Sequence, residues 1–332
     1  MLLIIAVAFL LFFIALYLIS PLIAPEPLQL QGAHVLITGG SSGIGKAIAV
    51  EVAKKGANVT LLARNQAKLS EAATYVEDHR KNHENQKVQT FAIDLCKEYA
   101  TIEATMKQAQ DNLGSVDMLF NCAGLSLSGR FDEVPLDEFK KLLDINYMGS
   151  VYATRALIGG MKERQHGRIV FVSSQAGQLG LYGFTAYSAS KFALRGLAES
   201  LQMEVKQDNI YVSLAFPPDT DTPGYEMEML SKPKETKLIS DTSGLFQPAY
   251  VAQKIVADAV VGKFLCHVGL DGYMLAMLTC GMSPVISITE ATQQVLTMGV
   301  FRAISLLYLD SFDRIVRKCK REETDRQKEK TH

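Results

Sequence analysis

The chain has 332 residues, a hydrophobic share of 48% and a formal net charge of −1. That length supports one large core or two small ones, and the near-neutral balance excludes the basic character that a nucleic-acid partner requires. Five cysteines, Cys96, Cys122, Cys266, Cys280 and Cys319, are scattered with no C-x-x-C pair, a usage that suits a reducing compartment.

Residues 1–24 carry no charged side chain and are rich in Leu, Ile, Phe and Ala. A helix of ~20 apolar residues crosses a bilayer, so this segment is expected to be an uncleaved membrane anchor. The rival is a cleaved signal peptide, against which stand the missing basic start, the long apolar run and the lack of an A-x-A site. No Lys or Arg occurs between Met1 and Lys46, so this end does not set the orientation.

Pro25-Glu26-Pro27 ends the apolar run, and residues 25–31 are expected to form a linker to a domain at 32–272. Within that domain short β-branched runs alternate with longer helical stretches. Strands are expected at 34–38, 58–63, 88–93, 116–121, 168–173 and 211–216, and a seventh around 264–268. Most are continuous apolar runs, as in strands covered on both faces. With helices such as 46–54 and 192–205 between them, the pattern predicts an α/β fold, a doubly wound parallel sheet of Rossmann type.

The first strand runs into Thr38-Gly39-Gly40-Ser41-Ser42-Gly43-Ile44-Gly45 and then a helix. Gly39, Gly43 and Gly45 permit a tight turn and close approach to a pyrophosphate, with Ser41, Ser42 and Ile44 completing the loop. The helix N-terminus adds unpaired N–H groups for the phosphates. At the end of the second strand, where an acid would hold a ribose 2′-hydroxyl, stands Arg64. It can take a 2′-phosphate, with Ser41 and Lys68 assisting, so the expected cofactor is NADPH. His79 and His83 sit in the polar run 78–84 and read as solvated, so no metal site is expected.

Tyr187-Ser188-Ala189-Ser190-Lys191 carries the strongest chemical signal. Residues four apart share a helix face, and a lysine ammonium beside a tyrosine is expected to lower the phenol toward the range useful for acid–base work. A hydroxyl from Ser173 or Ser174, at the end of the fifth strand, could polarise a carbonyl.

Beyond Gly272 the chain is apolar again at 273–288 and 295–309, interrupted by Pro284 and Arg302. A membrane-associated extension over 273–310 is expected, either packed on the domain, lying in the interface or forming a hairpin. The charged tail 311–332 ends Lys328-Glu329-Lys330-Thr331-His332, with lysines three and five from the end.

The glycine loop and the Tyr-x-x-x-Lys pair resemble the short-chain dehydrogenase/reductase family. That resemblance implies hydride transfer to a carbonyl with Tyr187 as proton donor, Lys191 also holding the nicotinamide ribose, and Ser174 as the hydroxyl by its spacing from Tyr187. It implies adenine contacts at Asp94 and Leu95, a cofactor role for Asn121 in Asn121-Cys122-Ala123-Gly124, and a water held on the proton path by Asn146. Cys122 stands where the family has a second Asn. Thr220 and Thr222 correspond to its nicotinamide and pyrophosphate contacts, with Pro218 in place of its glycine and so a stiffer loop. The segments 172–180, 217–224 and 271–275 resemble more narrowly a branch that reduces the long-chain lipid ketone 3-ketosphinganine in sphingolipid synthesis. This implies endoplasmic-reticulum membrane, a catalytic domain facing the cytosol, a lipid substrate and the bilayer as partners, and a dilysine retrieval signal at the tail. A homo-oligomer is compatible with it. Membrane-anchored steroid or retinoid dehydrogenases of the same family, and a catalytically silent scaffold, are the alternatives.

Overall fold

The computed structural model describes residues 24–241 and 244–331, together with residues 7, 11, 12, 14, 15, 17 and 18. Those seven isolated positions are helical and exposed. The remainder of the expected anchor at 1–24 lies outside the described residues, as does His332.

Seven strands form one parallel sheet: β1 His34–Thr38, β2 Asn58–Ala63, β3 Val88–Ala92, β4 Met118–Asn121, β5 Gly167–Val172, β6 Ile210–Phe216 and β7 Leu265–His267. Their spatial order is β3-β2-β1-β4-β5-β6-β7. β1 pairs with both β2 and β4, so the winding reverses there and opens a crevice beyond the strand ends. The central strands β1, β4 and β5 are buried at every residue, which is why they read as unbroken apolar runs. β3 is a sheet edge and mixes polar and apolar residues, as an edge strand tolerates.

One face of the sheet is covered by α1 Gly43–Lys54, α2 Gln66–Glu77 and α9 Pro248–Val260, through Ile48, Val52, Leu69, Val251 and Ile255. The other face is covered by α3 Tyr99–Leu113, α5 Gly149–Arg164 and α6 Thr185–Val205, through Ile102, Met106, Leu157 and Leu194. A short helix α4 Leu136–Leu143 leads through a π-helical turn, Asp144–Met148, into α5. Past β6 come α7 Pro223–Ser231 and α8 Lys234–Ser240, and past β7 come α10 Gly269–Leu278 and α11 Ile288–Thr331.

Residues 25–31 are fastened to the domain. Leu28 and Leu30 are buried in the core, Leu28 N–H donates to Val260 O at 2.9 Å, and Arg168 donates to Glu26 O at 2.7 Å. Burial lowers the Arg168 guanidinium to about 10, and its stacking 4.6 Å from the Tyr211 ring helps hold it.

The apolar C-terminal stretch is resolved into α10 and the 44-residue α11. α11 packs along α10 and α8. Tyr273 meets Phe301 edge-on at 5.9 Å, Lys234 pairs with Glu322, and Arg130 lies 3.8 Å from Glu323. Over 288–329 it is long and apolar enough to cross a bilayer by length and composition, with a mean hydropathy of 1.4 in its best window. Val295, Leu296, Val300, Leu306 and Leu307 are exposed on it.

Candidate active site

The crevice opens as a cleft of about 1380 Å³. One end is the glycine loop. Gly39 and Gly43 have φ of 66° and 54°, conformations that side-chain-bearing residues rarely adopt. A Cβ on Gly45 would stand 2.4 Å from Gly39 O, and one on Gly43 would press Thr222 Cγ2 at 3.2 Å. The loop thus lies close to the start of α1, with its backbone bare, and this cradle fits a dinucleotide pyrophosphate. Ser41, Ser42, Ile44 and Leu95 line the same wall. Thr38 Oγ1 accepts from the N–H groups of Cys122 and Ala123, each at 3.1 Å, which fixes the floor between β1 and β4.

Arg64 lies exposed one residue past β2, lines the cleft, and has no hydrogen-bonded or ion-paired protein partner among the described residues. Lys68 lines the same end, its backbone N–H donating to the N-cap Asn65 at 3.0 Å. Asp94 also lines it and accepts from Cys96 N–H at 3.1 Å. Asn121 stands apart. Its side chain is buried outside the cleft wall and donates to Thr154 Oγ1 at 3.1 Å, so it ties β4 to α5.

At the other end Tyr187 and Lys191 face the cleft from α6. The two serines before them separate. Ser173 Oγ donates to Lys191 O at 3.1 Å and is buried, whereas Ser174 caps the following 3₁₀ turn, lines the cleft and eases loss of the Tyr187 proton. Ser174 is therefore the hydroxyl beside the phenol. Lys191 Nζ donates to Val172 O at 2.9 Å and lies 5.8 Å from the Tyr187 ring centroid. Asn146, in the π-helical turn, accepts from Leu125 N–H at 2.8 Å and donates to Leu125 O at 3.0 Å and Ser190 Oγ at 2.8 Å. Both amide protons of Asn146 are thereby directed to protein acceptors.

The expected electrostatics of the pair is corrected by the structure. Burial, then the charge of Glu228, raise the Tyr187 phenol well above its ordinary value, with Asp219 adding to them and the Ser174 hydroxyl opposing. Lys191 does not offset this. Burial lowers its ammonium to about 8, and its proton is directed at a backbone carbonyl. The phenol is consequently fully protonated at neutral pH. Cys122 in the same wall is inert as a thiolate, since burial pushes it up to about 12.

The loop after β6 is held by Thr220, whose hydroxyl donates to Pro218 O at 2.8 Å, and by backbone bonds from Asp221 N–H and to Asp219 O from Phe246. Thr222 N-caps α7, accepting from Tyr225 N–H at 3.1 Å. Both threonines line the cleft. Sequence reasoning missed two parts of the wall. One is the pair Asp219 and Glu228, ion-paired from behind to the buried Lys232, whose spacing carries no motif. The other is α11, which contributes Arg302, Tyr308, Leu309 and Phe312 to an otherwise apolar wall with Leu179, Phe184 and Met274.

A cofactor crevice at the strand-order switch, joined to a phenol and an ammonium on one helix with a hydroxyl from the loop after β5, defines a nicotinamide-dependent oxidoreductase. Residues 33–232 match the short chain dehydrogenase family, and the chain belongs to it. It is 61% identical over 319 residues, 96% of each chain, to a 3-dehydrosphinganine reductase of Danio rerio. It is 58% identical, again over 96% of each, to a 3-ketodihydrosphingosine reductase of Bos taurus, and 38% identical over 90% of each to a 3-dehydrosphinganine reductase of Arabidopsis thaliana. Among solved structures, levodione reductase aligns over 69% of this chain and 91% of its own with a TM-score of 0.63 at 24% identity. NAD+-bound xylitol dehydrogenase aligns over 70% and 93% with a TM-score of 0.64 at 24% identity. At that identity these two speak for the fold alone.

Proposed function

We propose that the protein reduces 3-ketosphinganine to sphinganine with NADPH, on the cytosolic side of the endoplasmic-reticulum membrane. The observation that carries the reaction is the cleft itself, in which a protonated phenol stands between a cofactor cradle and a long apolar wall. The names of the relatives, which align over nearly the whole chain, supply the substrate.

The bound nicotinamide supplies the hydride. The protein's own groups do the rest. Tyr187 donates its phenolic proton to the carbonyl oxygen, and Ser174, lining the same cleft, orients and polarises that oxygen. Lys191, now donating to the Val172 carbonyl, would hold a ribose hydroxyl of the cofactor, and Asn146 holds the Leu125 loop. A protonated phenol can donate a proton and cannot accept one, so at neutral pH the free protein holds Tyr187 in the state that reduction requires. Arg64, Lys68 and Ser41 support NADPH over NADH, since no carboxylate at the end of β2 opposes a 2′-phosphate and Arg64 has no protein partner to give up. The apolar outer side chains of α11 support a place at a lipid surface, where residues 273–310 would lie against the bilayer beside an anchor at 1–24. The basic run from Arg314 to Arg321 and the terminal lysines support the cytosolic side and retention.

The test is NADPH oxidation by the purified protein with 3-ketosphinganine, against a steroid ketone and retinal. Selective turnover of the sphingoid ketone is expected. Turnover of the steroid or retinal instead would replace the substrate assignment, and none with any ketone would leave a binding scaffold.

A further inference from the structure

Two carboxylates and one ammonium meet in the wall of the cleft on the phenol side. Lys232, with a fully buried side chain, donates to Asp219 Oδ2 at 3.1 Å. It also stands 3.1 Å from Glu228 Oε1, in ion-pair contact but off the line of a hydrogen bond. Its ammonium lies 5.6 Å from the Phe184 ring centroid and 5.3 Å from that of Tyr225. The set carries one negative charge in excess. Glu228 is 9% exposed and lines the cleft, and its Oε1, enclosed by protein, is the oxygen that faces the Lys232 ammonium. One ammonium shared between two carboxylates leaves the set short of a positive charge, which a cation in the cleft would supply.

We propose that Glu228 is the receptor for a substrate ammonium group, so that the enzyme selects a ketone with a free, protonated amine on the carbon beside its carbonyl. The proposal rests on the reading of the reaction above, since 3-ketosphinganine is such a 2-amino-3-ketone. A carbonyl oxygen seated on Tyr187 and Ser174 brings the neighbouring ammonium into the cleft that Glu228 also lines. Asp219 is engaged by the Lys232 hydrogen bond and is the more exposed of the two. Asp271 lines the same cleft but is not among the groups that shift the phenol.

Binding there neutralises the excess charge at the moment the phenol must release its proton. The substrate thus makes Tyr187 a stronger acid than it is in the free protein. A ketone whose nitrogen is acylated brings no charge and leaves the excess negative charge uncompensated, so the subsite excludes N-acyl sphingoid ketones.

Three ketones of one chain length test this: 3-ketosphinganine, its N-acetyl derivative, and the analogue with hydrogen in place of the amine. Wild type is expected to show a kcat/KM for the amine at least about tenfold above the other two, as a charged hydrogen bond implies. Glu228→Gln, checked for folding by circular dichroism, is expected to lower the ratio of amine to deamino ketone by a similar factor. Equal kcat/KM for the three ketones in wild type overturns the proposal without recourse to a variant. An unchanged ratio in E228Q, or a ratio that falls in Asp271→Asn instead, also overturns it. If wild type reduces none of the three, the reading of the reaction has failed and the subsite goes with it.

Discussion

Asn146 donates a hydrogen bond to Ser190 Oγ at 2.8 Å, and Ser190 in turn donates to the Tyr187 carbonyl at 2.7 Å. The π-helical turn before α5 is thus tied to the very turn of α6 that carries the phenol and, one residue on, the Lys191 ammonium. Truncation as Asn146→Ala breaks this tie and leaves Leu125 N–H without its acceptor. A loss of about 1–3 kcal/mol of stability is expected from the stranded groups, with a fall in kcat. Thermal melting and steady-state kinetics on the same preparation check both, and unaltered melting would contradict the assigned bonds.

Tyr187→Phe removes the proton donor and retains the ring. NADPH binding, read by fluorescence titration, should persist, while kcat falls by about 10²-fold or more. Ser174→Ala should lower kcat as well, and should also raise the phenol further, because the Ser174 hydroxyl opposes the upward pull of burial. Near-normal turnover in Y187F would remove the catalytic assignment.

Arg64→Ala leaves a 2′-phosphate without its charged partner. The KM for NADPH should rise at least about tenfold, and that for NADH should change little. Because Arg64 is exposed, the wild-type preference should shrink as salt is added. Equal effects on the two cofactors would make Arg64 an ordinary surface arginine.

His267 gives the fold an acid-sensitive point. Burial first, then the nearby Lys263 and Lys254 charges, hold its imidazole down at about 4. The folded state therefore binds fewer protons than the unfolded state between its ordinary 6.5 and about 4. Stability tied to the neutral ring is present above 6.5 and is lost as pH falls through that window, on the order of a few kcal/mol at the acid end. His267→Gln should flatten this acid-side decline. Melting temperatures across the same range read the slope directly.

The proposed cytosolic placement predicts that protease added to right-side-out microsomes digests the catalytic domain without detergent. A protected domain would place it in the lumen. A lumenal domain could be glycosylated at the sequon Asn58-Val59-Thr60, but only before folding. Thr60 is fully buried, and Asn58 accepts from Lys87 N–H at 2.9 Å within the sheet. A glycan on Asn58 of active enzyme is therefore not expected.

The doubly wound fold was legible because buried parallel strands leave unbroken apolar runs, so His34–Thr38 and Asn58–Ala63 match the expected limits. The catalytic helix begins at Thr185, earlier than expected from residue 192, because its first turns carry small and polar residues where helical periodicity is faint. The glycine loop, Tyr187 and Lys191 were legible because each works through local spacing. Other features depend on residues brought together from afar. Ser173 is engaged by a carbonyl eighteen positions away, and the Tyr187 shift is set first by burial and then by Glu228. The roles of Lys232 and α11 arise only when residues beyond β6 fold back over the cleft.

That folding back divides the cleft along the chain. The glycine loop, Arg64, Ser174 and Tyr187 all precede residue 233, whereas Ile239, Met274, Tyr308 and Phe312 in the apolar wall follow it. The match to the short chain dehydrogenase family ends at residue 232. The outer part of the apolar wall is therefore written in a stretch of gene apart from the reacting groups, while Leu179, Phe184 and Glu228 stay upstream with the chemistry. Drift or recombination in the downstream stretch can re-tailor how the far end of the lipid is held without disturbing the chemistry, and a chimera joined near residue 233 would inherit that end of the cleft from the donor of its tail.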